Sequence, residues 1–290
     1  MNKTPRHIAE AALLYLCFGV FSLMPAQAAS AVGGFLGRSI GPLLAASRKA
    51  MKNLDLIYPD KPKAEKQAII RAMWDNLGRV MAEYPHLQTI ARTRTEVVNR
   101  EKLETILGQP GSAIFIGGHV GNWELNGATL FVQFGKTLDL TYRAPNNPYA
   151  DALLFKARTL GGKLGAFPKA RETARKLVKS LQDERYLGIM IDQKFNTGIA
   201  VDFLGKPAMT NPAPFQLAQK FDAPLVPVLC ERLPGCRFRM HVLNAIPTDG
   251  SVDDVALRAN QMLSEWINKH PGQWLWLHRR WKSKALMQGS

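Results

Sequence analysis

The sequence contains few cysteines, and they follow no framework pattern. Its three cysteines, Cys17, Cys230 and Cys236, are odd in number, and the last two are not spaced as a zinc-binding pair. Neither a disulfide framework nor a zinc site is therefore expected. Reduced cysteines suit a reducing compartment.

The sequence also lacks an arginine-rich tail, an aromatic RNA-binding box, an internal repeat and any low-complexity tract. These absences argue against nucleic acid as a partner and against a repeat architecture. Its 290 residues are 46% hydrophobic, which is typical of a globular chain. The 38 lysines and arginines against 23 acidic residues give a net charge of +15, so the expected partners are acidic: anionic lipid or an acidic carrier protein.

Apolar residues form a run at positions 11–24, shorter than the roughly 20 residues of a membrane-spanning helix. Lys3 and Arg6 before the run and Ala26-Gln27-Ala28 after it form the pattern of a cleaved secretory signal. The alternative is an uncleaved anchor, either a tilted span continued by residues 28–44 or a helix lying in the membrane interface. More basic residues follow the run than precede it, which favours a cytoplasmic domain.

Further along, apolar strands alternate with helical patterns, which predicts an α/β fold. Apolar positions recur at intervals of three and four over residues 63–83, an amphipathic helix. Strands are predicted at residues 113–116, 137–142, 186–191, 224–230 and 237–243. The first three end in polar residues, and strand ends of open α/β sheets gather ligands, so His119, Arg143 and Asp192 are expected on one rim.

Residues 113–127 carry the strongest catalytic signal. A buried strand ends in Gly117 and Gly118, and His119 and Glu124 follow. On one continuous helix these two side chains would lie roughly 140° apart. If Asn122 caps a helix that runs towards Gly135, His119 lies in the preceding loop and can fold over Glu124. A general base and its orienting acid need this geometry. The H-x4-E spacing lacks the second histidine of a zinc-protease helix, so no metal is predicted.

The chain ends in an aromatic and basic stretch at residues 274–282. Tryptophan beside arginine and lysine is typical of a protein face that meets lipid headgroups.

Four separate motifs carry a family resemblance: GGHVGNWE at residues 117–124, YRAPNNP at 142–148, IDQ at 191–193 followed by VDFLGKPAMT at 201–210, and WLWLHRRWK at 274–282. Over residues 54–282 the chain resembles the bacterial lipid A secondary acyltransferases, the lauroyl/myristoyl transferase family of the lysophospholipid acyltransferase superfamily. Glu124 in place of aspartate, and the absence of an E-G-T-R block, distinguish it from the glycerolipid branch.

The resemblance implies an open, mixed α/β sheet flanked by helices, with an N-terminal apolar membrane helix. It favours the anchor over the secretory signal and divides the chain into an anchor or interfacial segment at residues 1–50 and an acyltransferase domain at 51–290. It places the protein on the cytoplasmic face of the cell inner membrane. The implied donor is an acyl carrier protein thioester, the acceptor is a lipid A precursor or related glycolipid, and no cofactor is expected.

The resemblance also implies residue roles. His119 would be the general base, Glu124 would fix its tautomer, and the acyl group would pass directly between substrates without an acyl-enzyme. Arg143, Asn147, Asp192 and Gln193 match family positions and are candidate substrate-binding residues, to which we add Asn122. Helix capping by Asn147, and strand-end capping by Asp192 and Gln193, are the structural alternatives.

Two other functions fit the same residues. One is an acyltransferase of this fold that acts on another membrane lipid, either a glycolipid or a lysophospholipid. The other is a secreted basic lipid-binding protein without catalysis, which the signal-like N-terminus favours. A coenzyme A thioester is also compatible as donor.

Overall fold

The computed structural model describes residues 4–142, 144–168 and 173–281. Its helices are α1 (Thr4–Ser22), α2 (Ala26–Ile40), α3 (Ser47–Ile57), α4 (Lys63–Glu83), α5 (Leu87–Thr93), α6 (Arg100–Gly108), α7 (Glu124–Phe134), α8 (Pro148–Arg158), α9 (Thr173–Gln182), α10 (Ala213–Phe221) and α11 (Val252–Lys269). Its strands are β1 (Thr95–Val98), β2 (Ile114–Gly117), β3 (Leu138–Tyr142), β4 (Gly165–Pro168), β5 (Tyr186–Met190), β6 (Ile199–Phe203), β7 (Lys206–Thr210), β8 (Leu225–Leu233) and β9 (Arg237–Val242).

Seven strands form the central sheet in the order β1-β9-β8-β2-β5-β3-β4. All its pairs are parallel except β8 with β9. The predicted mixed α/β sheet flanked by helices is therefore confirmed. Because β2, β5 and β3 are adjacent and parallel, the residues that follow them meet at one edge of the sheet. A separate hairpin of β6 and β7 packs against α11.

Alternation along β2 explains why the central strands are apolar on both faces. Ile114 and Ile116 point into one hydrophobic cluster, whereas Phe115 points into the other. The first cluster includes residues of α4, α10 and α11, and the second includes residues of α5, α6 and α7. The sheet is thus covered on both sides, and the ends of its strands are the place where polar side chains can collect.

The N-terminal region folds as two helices, and the predicted apolar membrane helix is wrong. Among the described residues, no helix is both long enough and apolar enough to cross a membrane. α1 carries Arg6 and Glu10 near its start, and the turn before Pro25 separates it from α2. α2, which was expected to continue a span, instead packs along α4.

Glycines allow the close contact between α2 and α4. A Cβ atom on Gly78 would lie 2.1 Å from the carbonyl oxygen of Gly33, and one on Gly37 would lie 2.1 Å from the carbonyl oxygen of Trp74. The two backbones therefore touch, and the Gly- and Ala-rich sequence of α2 serves helix packing.

The aromatic C-terminal segment (residues 274–281) is part of the core. Trp274, Trp276 and Trp281 are 1%, 0% and 7% exposed, so the prediction that these rings meet lipid headgroups is wrong. Trp274 forms a β-bridge with Val120. This contact brings the C-terminal segment to the loop that follows β2.

Candidate functional site

The loop after β2 holds His119 rigidly at the carboxyl edge of the sheet. The His119 amide donates to Oδ2 of Asp192 at 2.8 Å, and its carbonyl oxygen accepts from the Leu275 amide at 3.2 Å. Gly121 has φ +57°, and a Cβ atom there would lie 1.9 Å from the carbonyl oxygen of Cys230. Only glycine fits this turn.

Asp192 is the hydrogen-bonded partner of the His119 ring. Its Oδ1 lies 2.8 Å from His119 Nδ1, and its Oδ2 also accepts from Trp274 Nε1 at 2.9 Å. The carboxylate is 0% exposed. Burial alone would raise the pKa of Asp192, but the charge and hydrogen bonds of His119, together with the charge of His278, hold that pKa well below its usual range.

An ionised carboxylate only accepts hydrogen bonds, so Nδ1 of His119 must carry a proton. In the neutral ring the lone pair is then on Nε2. That atom lies 3.3 Å from Nε2 of Gln193, and the ring is 14% exposed. The rings of Trp123 and His278 lie 5.0 and 5.4 Å from it, centroid to centroid. The imidazole is therefore oriented as a proton acceptor.

The Glu124 carboxylate forms its hydrogen bonds with residues other than His119. Arg158 donates to its two oxygens at 2.9 and 2.8 Å from Nε and Nη2, Tyr84 donates at 2.7 Å and Trp123 Nε1 at 3.0 Å. Burial would raise the pKa of Glu124, yet the Arg158 charge and these hydrogen bonds lower it. Within the described residues, the direct contact between His119 and Glu124 expected from their spacing is replaced by the contact with Asp192.

Two predicted substrate-binding amides support helices. The side chain of Asn122 is fully buried, donates to Glu83 at 2.8 Å and accepts from the Glu124 amide at 3.2 Å. It bonds to the start of α7, but the N-cap residue is Trp123, one position after the predicted Asn122. Asn147 caps α8 and donates to the carbonyl oxygen of His7 at 2.8 Å. Arg143 lies outside the described residues. The substrate-binding roles of all three stay predictions.

A cavity of about 140 Å³ extends from His119 along the sheet, beneath α7. Its polar end is lined by His119, Gln193, Glu124 and Arg158. Its apolar end lies farther back on the strands and is lined by residues that include Phe115, Leu138, Leu140 and Gly188. Gly188 pairs with Phe115 on one side and with Leu140 on the other, and the absence of a side chain there gives Leu138 and Leu140 room to pack over its backbone.

Sequence reasoning missed three residues of this site. Arg158 gave no signal that set it apart from the other basic residues, yet its side chain is only 17% exposed and lines the cavity. Tyr84 gave no local signal, and Trp274 was noted only as part of the C-terminal motif, because each reaches the site only through tertiary packing. Among the described residues, no group of three or more His, Cys, Asp or Glu side chains is placed to hold a metal ion.

An imidazole oriented by a buried carboxylate, beside a cavity at the carboxyl edge of a mostly parallel sheet, defines an α/β protein equipped for general base catalysis. The family model for bacterial lipid A biosynthesis acyltransferases matches residues 3–283. The chain belongs to this family, which confirms the resemblance found in the sequence.

Three relatives illustrate the range of the similarity. The lipid A biosynthesis lauroyltransferase of Escherichia coli (strain K12) is 25% identical over 80% of this chain and 78% of its own. The palmitoleoyltransferase of the same strain is 23% identical over 88% of this chain and 87% of its own. A phosphatidylinositol mannoside acyltransferase of Mycolicibacterium smegmatis is 24% identical over 89% of this chain and 86% of its own.

Replacing Arg158 with glutamine should destabilise the protein, because the buried Glu124 carboxylate loses its cation. We expect the free energy of unfolding at neutral pH, measured by urea denaturation, to fall by about 3–5 kcal/mol. The double variant Arg158→Gln/Glu124→Gln should recover part of this loss. Lys156→Gln removes an exposed cation from the same helix and should change stability by less than about 0.5 kcal/mol.

The stability lost in Arg158→Gln should depend on pH. The pKa of Glu124 in the folded protein lies below its ordinary value of 4.5, so the ionised pair stabilises the fold above that pH. This contribution disappears as the pH falls through the folded-state pKa. The difference between wild type and Arg158→Gln should therefore shrink below about pH 4. An undiminished difference in acid, or no loss at neutral pH, contradicts the assignment.

Proposed function

We propose that the protein transfers a fatty acyl group from an acyl carrier protein thioester to a hydroxyl group of a lipid A precursor, an acylated glucosamine lipid. The observation that carries this proposal is the hydrogen bond between His119 Nδ1 and buried Asp192, which leaves Nε2 as a base beside the cavity. Membership of the lipid A acyltransferase family supports the reaction class.

In the proposed reaction, Nε2 of His119 takes the proton of the acceptor hydroxyl as its oxygen attacks the thioester carbonyl carbon. The carbon–sulfur bond then breaks, and the departing thiolate receives the proton from the imidazolium. Asp192 stays ionised throughout and stabilises the charged ring. No atom of the enzyme becomes acylated.

The cysteines support direct transfer. Burial raises the pKa of Cys230 to about 12 and that of Cys236 to about 11, so neither supplies a thiolate near neutral pH. Cys17 is exposed on α1, and both buried thiols lie outside the set of residues that line the cavity.

In this proposal Glu124 acts as a positioning residue, in place of the direct His119–Glu124 dyad that the spacing suggested. Its carboxylate holds Arg158 at the cavity wall through Nε and Nη2. Among the described residues Nη1 of Arg158 has no hydrogen-bond partner, so its donors can serve the oxygen that gains charge as the thioester is attacked.

The proposed location is the cytoplasmic face of the cell inner membrane, with the protein held at the surface. Support comes from large apolar side chains exposed on α1, on α2 and in the turns that follow each of these helices. Leu23 and Leu43 are 88% and 84% exposed, and others are Leu13, Leu16, Val20, Phe35 and Leu36. Such a concentration of exposed apolar side chains is a feature of membrane-contacting faces.

Two variants test the catalytic pair. With acyl carrier protein thioester and lipid A precursor, His119→Ala and the nearly isosteric Asp192→Asn should each lower kcat by about 10²- to 10⁴-fold. Asp60→Asn, which changes an exposed carboxylate, should leave kcat unchanged. Wild-type kcat in Asp192→Asn, with the fold intact by circular dichroism, contradicts the proposal.

A different glycolipid acceptor is the second candidate, because one relative is named for phosphatidylinositol mannoside. The same assay with that lipid and with a lysophospholipid compares kcat/KM between acceptors. Faster transfer to either than to the lipid A precursor would replace the main proposal with this one.

Acyl chain length should respond to the cavity's apolar end, where we place the acyl tail. A Cβ atom on Gly188 would lie 2.7 Å from Leu140 Cδ2 and 2.8 Å from Leu138 Cδ2, so the added methyl group in Gly188→Ala must displace these two leucines, which line the cavity's apolar end, and narrow it. We expect this variant to prefer shorter acyl donors and Leu138→Ala, which enlarges the space, to prefer longer ones. Competition among donors of different length measures the shift.

The control is Leu103→Ala, which truncates a fully buried leucine that does not line the cavity and costs similar stability. It should lower yield without changing chain preference. An unchanged preference in both cavity variants contradicts placement of the acyl tail here.

A further inference from the structure

Three cations of α3 and one of the C-terminal segment surround a single groove. A groove of about 660 Å³, here called the basic groove, is lined by four cations, Arg48, Lys49, Lys52 and Arg279. Its other lining residues carry no charge: Ala45, Asn53, Leu56 and Trp281. Within the part of the chain that the structure describes, none of the four cations forms an ion pair.

Four like charges around one groove repel each other, and no carboxylate among the described residues pairs with any of them. An anion with more than one negative oxygen does so best, because lysine and arginine together offer several donors. The charge pattern therefore indicates a phosphate group more than a single carboxylate.

An apolar groove of about 820 Å³ adjoins the basic groove and shares Ala45 and Arg48 with it. Its walls include Leu43, Leu44 and Met51, and Arg71 is a second cation on its lining. Leu43 and Leu44 belong to the exposed apolar surface that we place at the membrane. A ligand that fills both grooves needs a phosphate next to an alkyl chain.

The basic groove is also joined to the catalytic loop. Asn53 of α3 donates to the carbonyl oxygens of Trp276 and His278, each at 2.7 Å. The His278 ring lies 5.4 Å from that of His119, and Arg279 is the next residue. Arg279 is therefore one residue away from the ring that contacts His119.

Resting on the proposed function, we infer that the basic groove binds a phosphate of the acceptor lipid while the apolar groove takes part of an alkyl chain of the same molecule. The phosphate contact contributes binding energy for the acceptor lipid and so lowers its KM. Arg48, Lys49, Lys52 and Arg279 are specificity-determining residues in this account.

The test compares two triple variants of the full chain. Arg48→Gln/Lys49→Gln/Lys52→Gln removes three charges from the basic groove, and Lys136→Gln/Lys220→Gln/Lys269→Gln removes three exposed charges elsewhere. Binding is measured to phosphorylated lipid A precursor and to its dephosphorylated form in neutral detergent micelles. Inorganic phosphate is added as a competitor.

We expect the groove variant to bind the phosphorylated lipid at least about tenfold more weakly, while the control binds as wild type does. Binding of the dephosphorylated lipid should be equal in all three proteins. In the transferase assay, the KM for the lipid should rise about tenfold, and kcat and the KM for the thioester should not change. Inorganic phosphate should compete only weakly.

The inference is overturned if the groove variant behaves like the control, or if it loses both lipid forms equally. A rise in the KM for the thioester instead would make the surface a docking site for the acidic carrier protein. Displacement by inorganic phosphate at the lipid's own concentration would make it a site for the free ion. If wild type transfers no acyl group, the proposed function fails, and micelle binding still decides this inference.

Discussion

The buried carboxylate of Asp192 is the group on which the site depends. It accepts hydrogen bonds from the His119 amide, the His119 ring and the Trp274 indole, each at 2.8 or 2.9 Å. These donors come from the loop after β2 and from the C-terminal segment. A buried charge is costly unless it is bonded in this way, so the carboxylate fixes both segments around the end of β5.

The site contains two buried carboxylates with different surroundings. Asp192 is bonded to a neutral or protonated imidazole, whereas Glu124 is bonded to the permanent cation of Arg158. The first arrangement can exchange a proton with a substrate, and the second holds a fixed charge at the cavity wall. A third buried pair, Glu83 with Arg232, ties Asn122 to the same region. The Asp192–His119 pair can thus take part in proton transfer, and the two glutamate–arginine pairs hold the surrounding residues in place.

Local pattern was sufficient to predict much of the fold. The helix predicted from the apolar spacing of residues 63–83 corresponds to α4. The strands predicted at 113–116, 137–142, 186–191, 224–230 and 237–243 correspond to β2, β3, β5, β8 and β9. The rule that strand ends meet on one rim brought His119 and Asp192 together. The strands β1 and β4 and the β6–β7 hairpin were not predicted, because they lie at the edges of the sheet or outside it and lack the continuous buried apolar run of the central strands.

The partner of His119 could not be read from spacing, because Glu124 is near in sequence and Asp192 is 73 residues away. Composition also misled at both ends of the chain. The Gly- and Ala-rich residues that follow the apolar N-terminal run pack against α4, and the tryptophans of the C-terminal segment turn inward. In each case tertiary packing decided between two environments that suit the same residues.

The central claim is that Asp192 sets the tautomer of His119. Nitrogen-15 NMR of histidine-labelled protein, with the His119 signal assigned by its loss in His119→Gln, measures this directly. At a pH where the ring is neutral, the proton should lie on Nδ1 in wild type and in Glu124→Gln, and this preference should be lost in Asp192→Asn. A proton on Nε2 in wild type, or a tautomer that changes with Glu124 and not with Asp192, would contradict the account.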